Sequence, residues 1–149
     1  MALEGEYVPS PWQWVRDQVE QYERSGGREA NTLLDTGLPI IIVTTRGNKS
    51  GTLRKTALMR VEHEGEYALV ASMGGAPKNP AWYWNVKANP EVHFTGAGLT
   101  GDYVAREAEG DERARLWAEA VDYYDGFATY QGRTDGRRIP VIVLEPVRS

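Results

Sequence analysis

The chain has 149 residues, with 17 Lys and Arg against 21 Asp and Glu and a formal net charge of −4 at pH 7. One domain of this length buries a core without staples, and the lack of cysteine excludes disulfide scaffolds, cysteine-ligated zinc, iron–sulfur clusters and thiol catalysis. The acidic balance removes any general attraction for nucleic acid, so an anion site must come from local clustering of cations.

In chain order, MALEGEYVPS lacks the basic start and apolar run of a secretory signal, and the chain is read as cytoplasmic. Ser10 and Pro11 read as an N-cap and first helical position for a surface helix over Trp12 to Arg24, with Trp14, Val15, Val19 and Tyr22 at near-helical spacing. Its indoles could touch a partner subunit or a membrane surface, but simple packing onto the domain is the expectation. Pro39 to Thr45 is a buried apolar strand, shorter than the roughly 20 residues of a membrane span. Lys55 to His63 alternates, Glu64-Gly65 turns the chain and Tyr67 to Met73 returns, which predicts a β-hairpin. Asn79-Pro80 reads as an N-cap and first helical residue for a short helix through Trp82, Trp84 and Val86. Glu91 to Thr95 and Leu99 to Ala108 follow as strands, Asp111 to Tyr124 as a helix with acids in its first turn, and Ile139 to Leu144 as a last strand. Five or six strands with helices between them suggest a small barrel with peripheral helices.

Three constellations carry chemistry. Between Thr36 and Val61 there is no acid, yet Arg46, Lys49, Arg54, Lys55 and Arg60 all occur beside Gly47, Ser50, Gly51 and Thr52. Cations beside small residues suit capture of phosphate or carboxylate. Gly47-Asn48-Lys49-Ser50 leads into a strand rather than a helix, so it is not a nucleotide-triphosphatase loop. The second constellation, Ser72-Met73-Gly74-Gly75 with Lys78, is a strand end, a glycine break and a helix start, another anion seat. The third is aromatic: Trp82, Tyr83 and Trp84, then Tyr123, Tyr124, Phe127 and Tyr130, the later group too polar in its surroundings for deep core. His63 falls in a probable exposed turn and His93 on a strand face as a structural histidine, so no metal site is expected. Chemistry carried by a bound cofactor fits this inventory better than side-chain acid–base work.

The runs Pro39-Ile40-Ile41-Ile42-Val43-Thr44-Thr45-Arg46-Gly47-Asn48-Lys49-Ser50-Gly51 with Arg54-Lys55-Thr56, and Ala71-Ser72-Met73-Gly74-Gly75-Ala76-Pro77-Lys78-Asn79-Pro80-Ala81-Trp82-Tyr83, resemble the deazaflavin-dependent nitroreductase family. Tyr130-Gln131 and the ending Arg138-Ile139-Pro140-Val141-Ile142-Val143-Leu144-Glu145-Pro146 resemble it as well. The resemblance implies a split β-barrel of the flavin-reductase and FMN-binding type, mainly β with peripheral α-helices (α+β). The expected organisation is a single domain over 1–149, with an N-terminal helical segment over 1–34 and the barrel with inserted helices over 38–149. It also implies coenzyme F420, an 8-hydroxy-5-deazaflavin with a phospholactyl-oligoglutamate tail, used in its reduced form.

By the same resemblance, Lys49, Ser50, Arg54, Lys55 and Thr56, with Ala57, Leu58 and Met59, would line the cofactor. Ala71, Ser72, Met73, Gly74 and Gly75 would form its other wall with Lys78, Asn79, Pro80, Ala81, Trp82 and Tyr83. Tyr130 would close over the ring, Tyr124 or Tyr130 would supply a proton, and Tyr124, Phe127 and Tyr130 would face the substrate. Phe127 stands where the family can carry another tyrosine, which leaves the acceptor pocket more apolar. The expected function is hydride transfer from the reduced deazaflavin C5 to a hydrophobic, electron-poor acceptor: a quinone, an activated enone such as a coumarin-type lactone, or a nitro compound. An FMN-dependent enzyme on the same barrel and a non-catalytic F420 carrier are the alternatives. No nucleic-acid partner or membrane association is expected, and a homodimer is the assembly the sequence leaves open.

Overall fold

The computed structural model describes residues 3–32, 37–63, 66–96 and 99–146. Helix α1 (Gln13–Arg24) is followed by strands β1 (Ile40–Arg46), β2 (Leu53–Met59), β3 (Val61–His63) and β4 (Glu66–Val70). A single 3-10 turn (Met73–Gly75) leads to α2 (Ala81–Ala88), then β5 (Glu91–Gly96), β6 (Leu99–Glu107), α3 (Gly110–Tyr123), α4 (Gly126–Arg133) and β7 (Val141–Pro146). The seven strands form one antiparallel sheet in the order β2-β1-β5-β6-β7-β4-β3. β2 and β3 are therefore the two edges of the sheet, yet only Arg60 separates them in sequence. Two edges joined by one residue cannot belong to a flat sheet, so the sheet curls into a barrel.

The pleat sorts side chains onto two buried faces. Ile41 and Val43 of β1, Val92 and Phe94 of β5, Tyr67 and Leu69 of β4, and Ile142 and Leu144 of β7 fill the concave interior, which Trp82, Tyr83 and Val86 of α2 plug. On the outside, Ile40 and Ile42 pack under Val19 and Tyr22 of α1. Ala68, Val70, Val141 and Val143 pack under Leu116 and Ala120 of α3 and Phe127 of α4. Central strands covered on both faces must be apolar throughout, which is why β1 and β7 read as β-branched runs rather than alternating ones. Among the described residues, no helix is long and apolar enough to cross a membrane.

Several boundaries differ from expectation. Trp12, not Ser10, is the residue before α1, and Ser10 Oγ accepts from the Trp12 N–H at 3.2 Å. Trp12 and Trp14 do not pack onto the domain: both indoles are exposed, 6.4 Å apart. The alternating stretch expected to be one strand breaks at Arg60, whose N–H donates to the Pro39 carbonyl at 2.9 Å, and this break is the corner where the chain passes from one edge to the other. β4 ends at Val70 rather than Met73, and Pro80 rather than Asn79 precedes α2. His63 belongs to β3, and residues 64 and 65 of the predicted turn lie outside the described residues.

Candidate functional site

Behind the loop between β4 and α2 stands Arg137, which sequence reading missed. Its guanidinium donates to the carbonyls of Ala71 at 2.9 Å, Ser72 at 2.9 Å and Ala76 at 2.7 and 3.0 Å, and to Asn79 Oδ1 at 2.7 Å. Asn79 therefore serves Arg137 instead of capping α2. Gln131 holds the segment that carries the arginine, donating to the Arg137 carbonyl at 2.7 Å and accepting from the Ile139 N–H at 2.9 Å. Burial pushes the Arg137 pKa below the usual arginine value, and no carboxylate pairs with it among the described residues.

The same loop meets α4 without a gap. Gly75 has φ +86°, and a Cβ built there would lie 2.7 Å from the Tyr130 carbonyl oxygen and 2.8 Å from Arg133 Cβ. Only glycine allows both that backbone conformation and that approach. Tyr130 is thereby seated against the loop. Its hydroxyl lies 3.1 Å from that of Tyr124, and the Tyr124 ring lies over Gly126, where a Cβ would be 2.3 Å from the ring. The hydrogen bond to Tyr130, then burial, raise the Tyr124 pKa above 10.0, so its phenol stays protonated at neutral pH. Phe127 is placed in the core, edge-on to Tyr124 at 5.1 Å, and not on an open wall; it sets the phenol pair from behind.

β2 divides the residues expected to line a cofactor. The register pairs Arg54, Thr56 and Leu58 with Thr45, Val43 and Ile41, so these three face the concave side. Lys55, Ala57 and Met59 face outward, Ala57 against α1 and Met59 in the cluster that also holds Tyr124 and Tyr130. Their backbone has a different outlook. Leu53 donates to Glu6 and accepts from Val8, pointing away from β1, so the alternate residues Lys55, Ala57 and Met59 turn their N–H and C=O groups to the open edge of the sheet.

The cations divide likewise. Arg46 is structural, donating to the carbonyls of Gly51 and Glu4, both at 2.8 Å. Lys55 is held by both carboxylate oxygens of Glu23 in α1, at 2.8 and 2.9 Å, above the Tyr7 ring. Lys49, Arg54 and Lys78 have no carboxylate partner among the described residues. Ser50 is spent within its own loop, 2.7 Å from Thr52 Oγ1.

Of the expected second wall, Ala71 and Ser72 are buried and Met73 exposed at the turn with Gly74, while Pro80 and Ala81 lead into α2. Trp82 and Tyr83 are buried in the core cluster inside the barrel. Burial and a 2.6 Å hydrogen bond to Glu107 raise the Tyr83 phenol to about 12. His93 is satisfied on both nitrogens, 3.1 Å from Asp102 and 3.1 Å from Thr100, as a structural histidine should be.

A curled antiparallel barrel with an open strand edge and cations beside it, and with no nucleophile–base pair among the described residues, is a split-barrel fold suited to chemistry carried by a bound cofactor. The model of the F420H(2)-dependent quinone reductase family matches residues 14–146, and the chain belongs to that family. It is an F420H2-dependent oxidoreductase, and coenzyme F420 is its cofactor. An F420H(2)-dependent quinone reductase of Mycobacterium tuberculosis is 37% identical over 112 residues, covering 71% of this chain and 72% of that protein. A solved structure of an F420-H2 dependent reductase is 50% identical, with TM-score 0.66, covering 76% of this chain and 98% of the other. Another, described as a domain-swapped dimer, is 48% identical, with TM-score 0.68, covering 91% of this chain and all of the other. FMN use and a purely carrying role are set aside by this membership.

Gly75→Ala tests the seating of Tyr130. The strained backbone and the contact with α4 should cost about 1–3 kcal/mol in denaturant unfolding. A variant as stable as the parent would show that loop and helix are not in register.

Proposed function

We propose that the chain reduces a quinone, with Tyr124 and Tyr130 standing over the acceptor and the β2 edge and the Ser72–Gly75 loop flanking the cofactor. When bound, reduced F420 supplies a hydride from C5 of its ring and leaves a proton to be placed. The donor set fits such a group. The outward N–H and C=O groups of Lys55, Ala57 and Met59 match a heterocycle with alternating donors and acceptors, and Lys49, Arg54 and Lys78 match a tail of one phosphate and several carboxylates. Thr56 and Leu58 give the inner side of that edge a half-buried wall.

The observation that carries the acceptor reading is the phenol pair at 3.1 Å, seated on the cofactor loop through Gly75. A quinone that accepts hydride gathers negative charge on a carbonyl oxygen, and a protonated phenol beside that oxygen donates to it and is refilled through its partner from solvent. The protein's part is to orient the acceptor and exclude water. A membership named for quinone reduction supports the same choice over enones, coumarin-type lactones and nitro compounds. A homodimer is the proposed assembly, supported by the exposed Trp12–Trp14 pair and by the similar structure described as a domain-swapped dimer.

The test is oxidation of reduced F420, followed by absorbance, with a short-chain naphthoquinone, a coumarin and a nitroimidazole compared at equal concentration. The quinone should turn over fastest, and preference for either other acceptor would overturn the reading. Tyr130→Phe and Tyr124→Phe should each lower kcat by about 10-fold or more, the low end for general acid catalysis, while leaving F420 affinity within about threefold. Because the Tyr124 pKa is raised, a rate that needs its proton should stay level from pH 6 to 9 and fall only above 10.0.

Glu23 supplies a separate prediction. Its carboxylate already occupies Lys55, so an anionic tail must compete with it. Glu23→Gln should tighten F420 binding about two- to fivefold at low salt, the scale of an exposed ion pair, and the gain should vanish at high salt. Weaker binding would mean that Lys55 does not face the tail.

A further inference from the structure

All five hydrogen bonds of the Arg137 guanidinium go to neutral oxygens: three carbonyls and one amide. The guanidinium is half-buried and desolvated, and no carboxylate cancels its charge among the described residues. A half-buried cation with no carboxylate beside it is less screened by salt than one standing in open solvent such as Lys49.

Its effect on the loop is directional. By gathering the carbonyls of Ala71, Ser72 and Ala76 on its own side, Arg137 turns the negative ends of those peptides inward. Ser72 is right-handed (φ −75°, ψ −41°) and Met73 left-handed (φ +48°), the alternation that aims successive N–H groups at one point. A left-handed methionine is uncommon, and here the five bonds hold the segment in place. The peptides of the Ala71 and Ser72 carbonyls carry the N–H groups of Ser72 and Met73, whereas that of Ala76 leads into Pro77 and has none, so two positive N–H ends and the charge behind them add in the same direction, away from Arg137.

We propose that Arg137 is a positioning residue whose charge, relayed through the Ala71–Ser72 and Ser72–Met73 peptides, makes the outer side of this loop a seat for an oxyanion of the cofactor. The inference rests on the reading that this loop flanks F420. Two oxyanions of the cofactor have the required chemistry: the phosphate of the tail and the ionised 8-hydroxyl of the oxidised ring.

The experiment compares Arg137→Lys with Arg137→Gln by fluorescence titration of oxidised F420, and again with the deazaflavin that lacks phosphate and tail. Both variants lose the forked geometry, but only lysine keeps the charge. The proposal expects the lysine variant to bind F420 at least about tenfold tighter than the glutamine variant when their thermal midpoints are matched, tenfold being the scale of a charge-assisted contact. Equal losses in the two would overturn it and leave Arg137 a structural clamp. A lysine-to-glutamine difference that disappears with the tail-less ring assigns the seat to the phosphate. One that persists, with the 8-hydroxyl pKa of the bound ring raised in the glutamine variant's absorption spectrum, assigns it to the ring.

If Arg137→Gln does not fold, the triple change of Lys49, Arg54 and Lys55 to alanine carries the test. Residual F420 binding should then be insensitive to salt, and complete loss of binding would overturn the proposal. Failure of the wild-type protein to bind F420 would reject the underlying reading, whereas binding with equal variant losses rejects the proposal alone.

Discussion

The single residue between β2 and β3 governs this molecule. Because those strands are the opposite edges of one sheet and Arg60 alone connects them, the sheet has to close on itself. Closure creates a concave interior that needs filling and an outer surface that needs covering, so β1 and β7 are buried on both sides and α2 enters as a plug. It also leaves β2 as an edge that no further strand satisfies beyond its start at Leu53. An unpaired edge is usually a liability, and a ligand that pairs with it turns the liability into a binding surface.

The site is assembled from segments far apart in sequence, and the joints between them are tight. Arg137 fastens the loop after β4, Gly75 brings that loop against Tyr130, and Gly126 lets the Tyr124 ring fold back to meet it. Each joint passes position to the next, so the phenols stand in a defined place relative to the glycine loop although no strand or helix runs through all of them. The electrostatics follow the same division. Cations on the β2 side suit a long, solvated, multiply charged tail, whereas the half-buried, tightly held charge of Arg137 suits one fixed oxyanion.

Much of this was legible in the sequence. The acid-free stretch from Thr36 to Val61, the glycine break after Ser72 and the phenols near Gly126 mark the three regions from which the proposed site is built, and the fold seats the last two against each other through Gly75. The period of a strand divides the residues expected to line the cofactor: six consecutive residues from Arg54 to Met59 cannot turn their side chains to one wall, because alternate side chains point to opposite faces. Lys55, Ala57 and Met59 face outward for that reason, and only their backbone turns to the open edge. Phe127 shows a second limit, since an aromatic in a polar neighbourhood can still be core once the chain curls. Arg137 was invisible for a third reason. An arginine that binds only carbonyls has no partner residue to pair with in a sequence, and one of two adjacent arginines in Asp135-Gly136-Arg137-Arg138 looks like an ordinary solvated turn.

The account depends on the open β2 edge and the Arg137-backed loop forming one site for a deazaflavin that carries an acidic tail. The most direct measurement is a fluorescence titration of the purified protein with oxidised F420, run beside FMN at low and moderate salt. The account predicts saturable binding of F420 that weakens in part with salt, and much weaker binding of FMN, which has one phosphate and no polyacidic tail. Tight binding of FMN with none of F420 would contradict it.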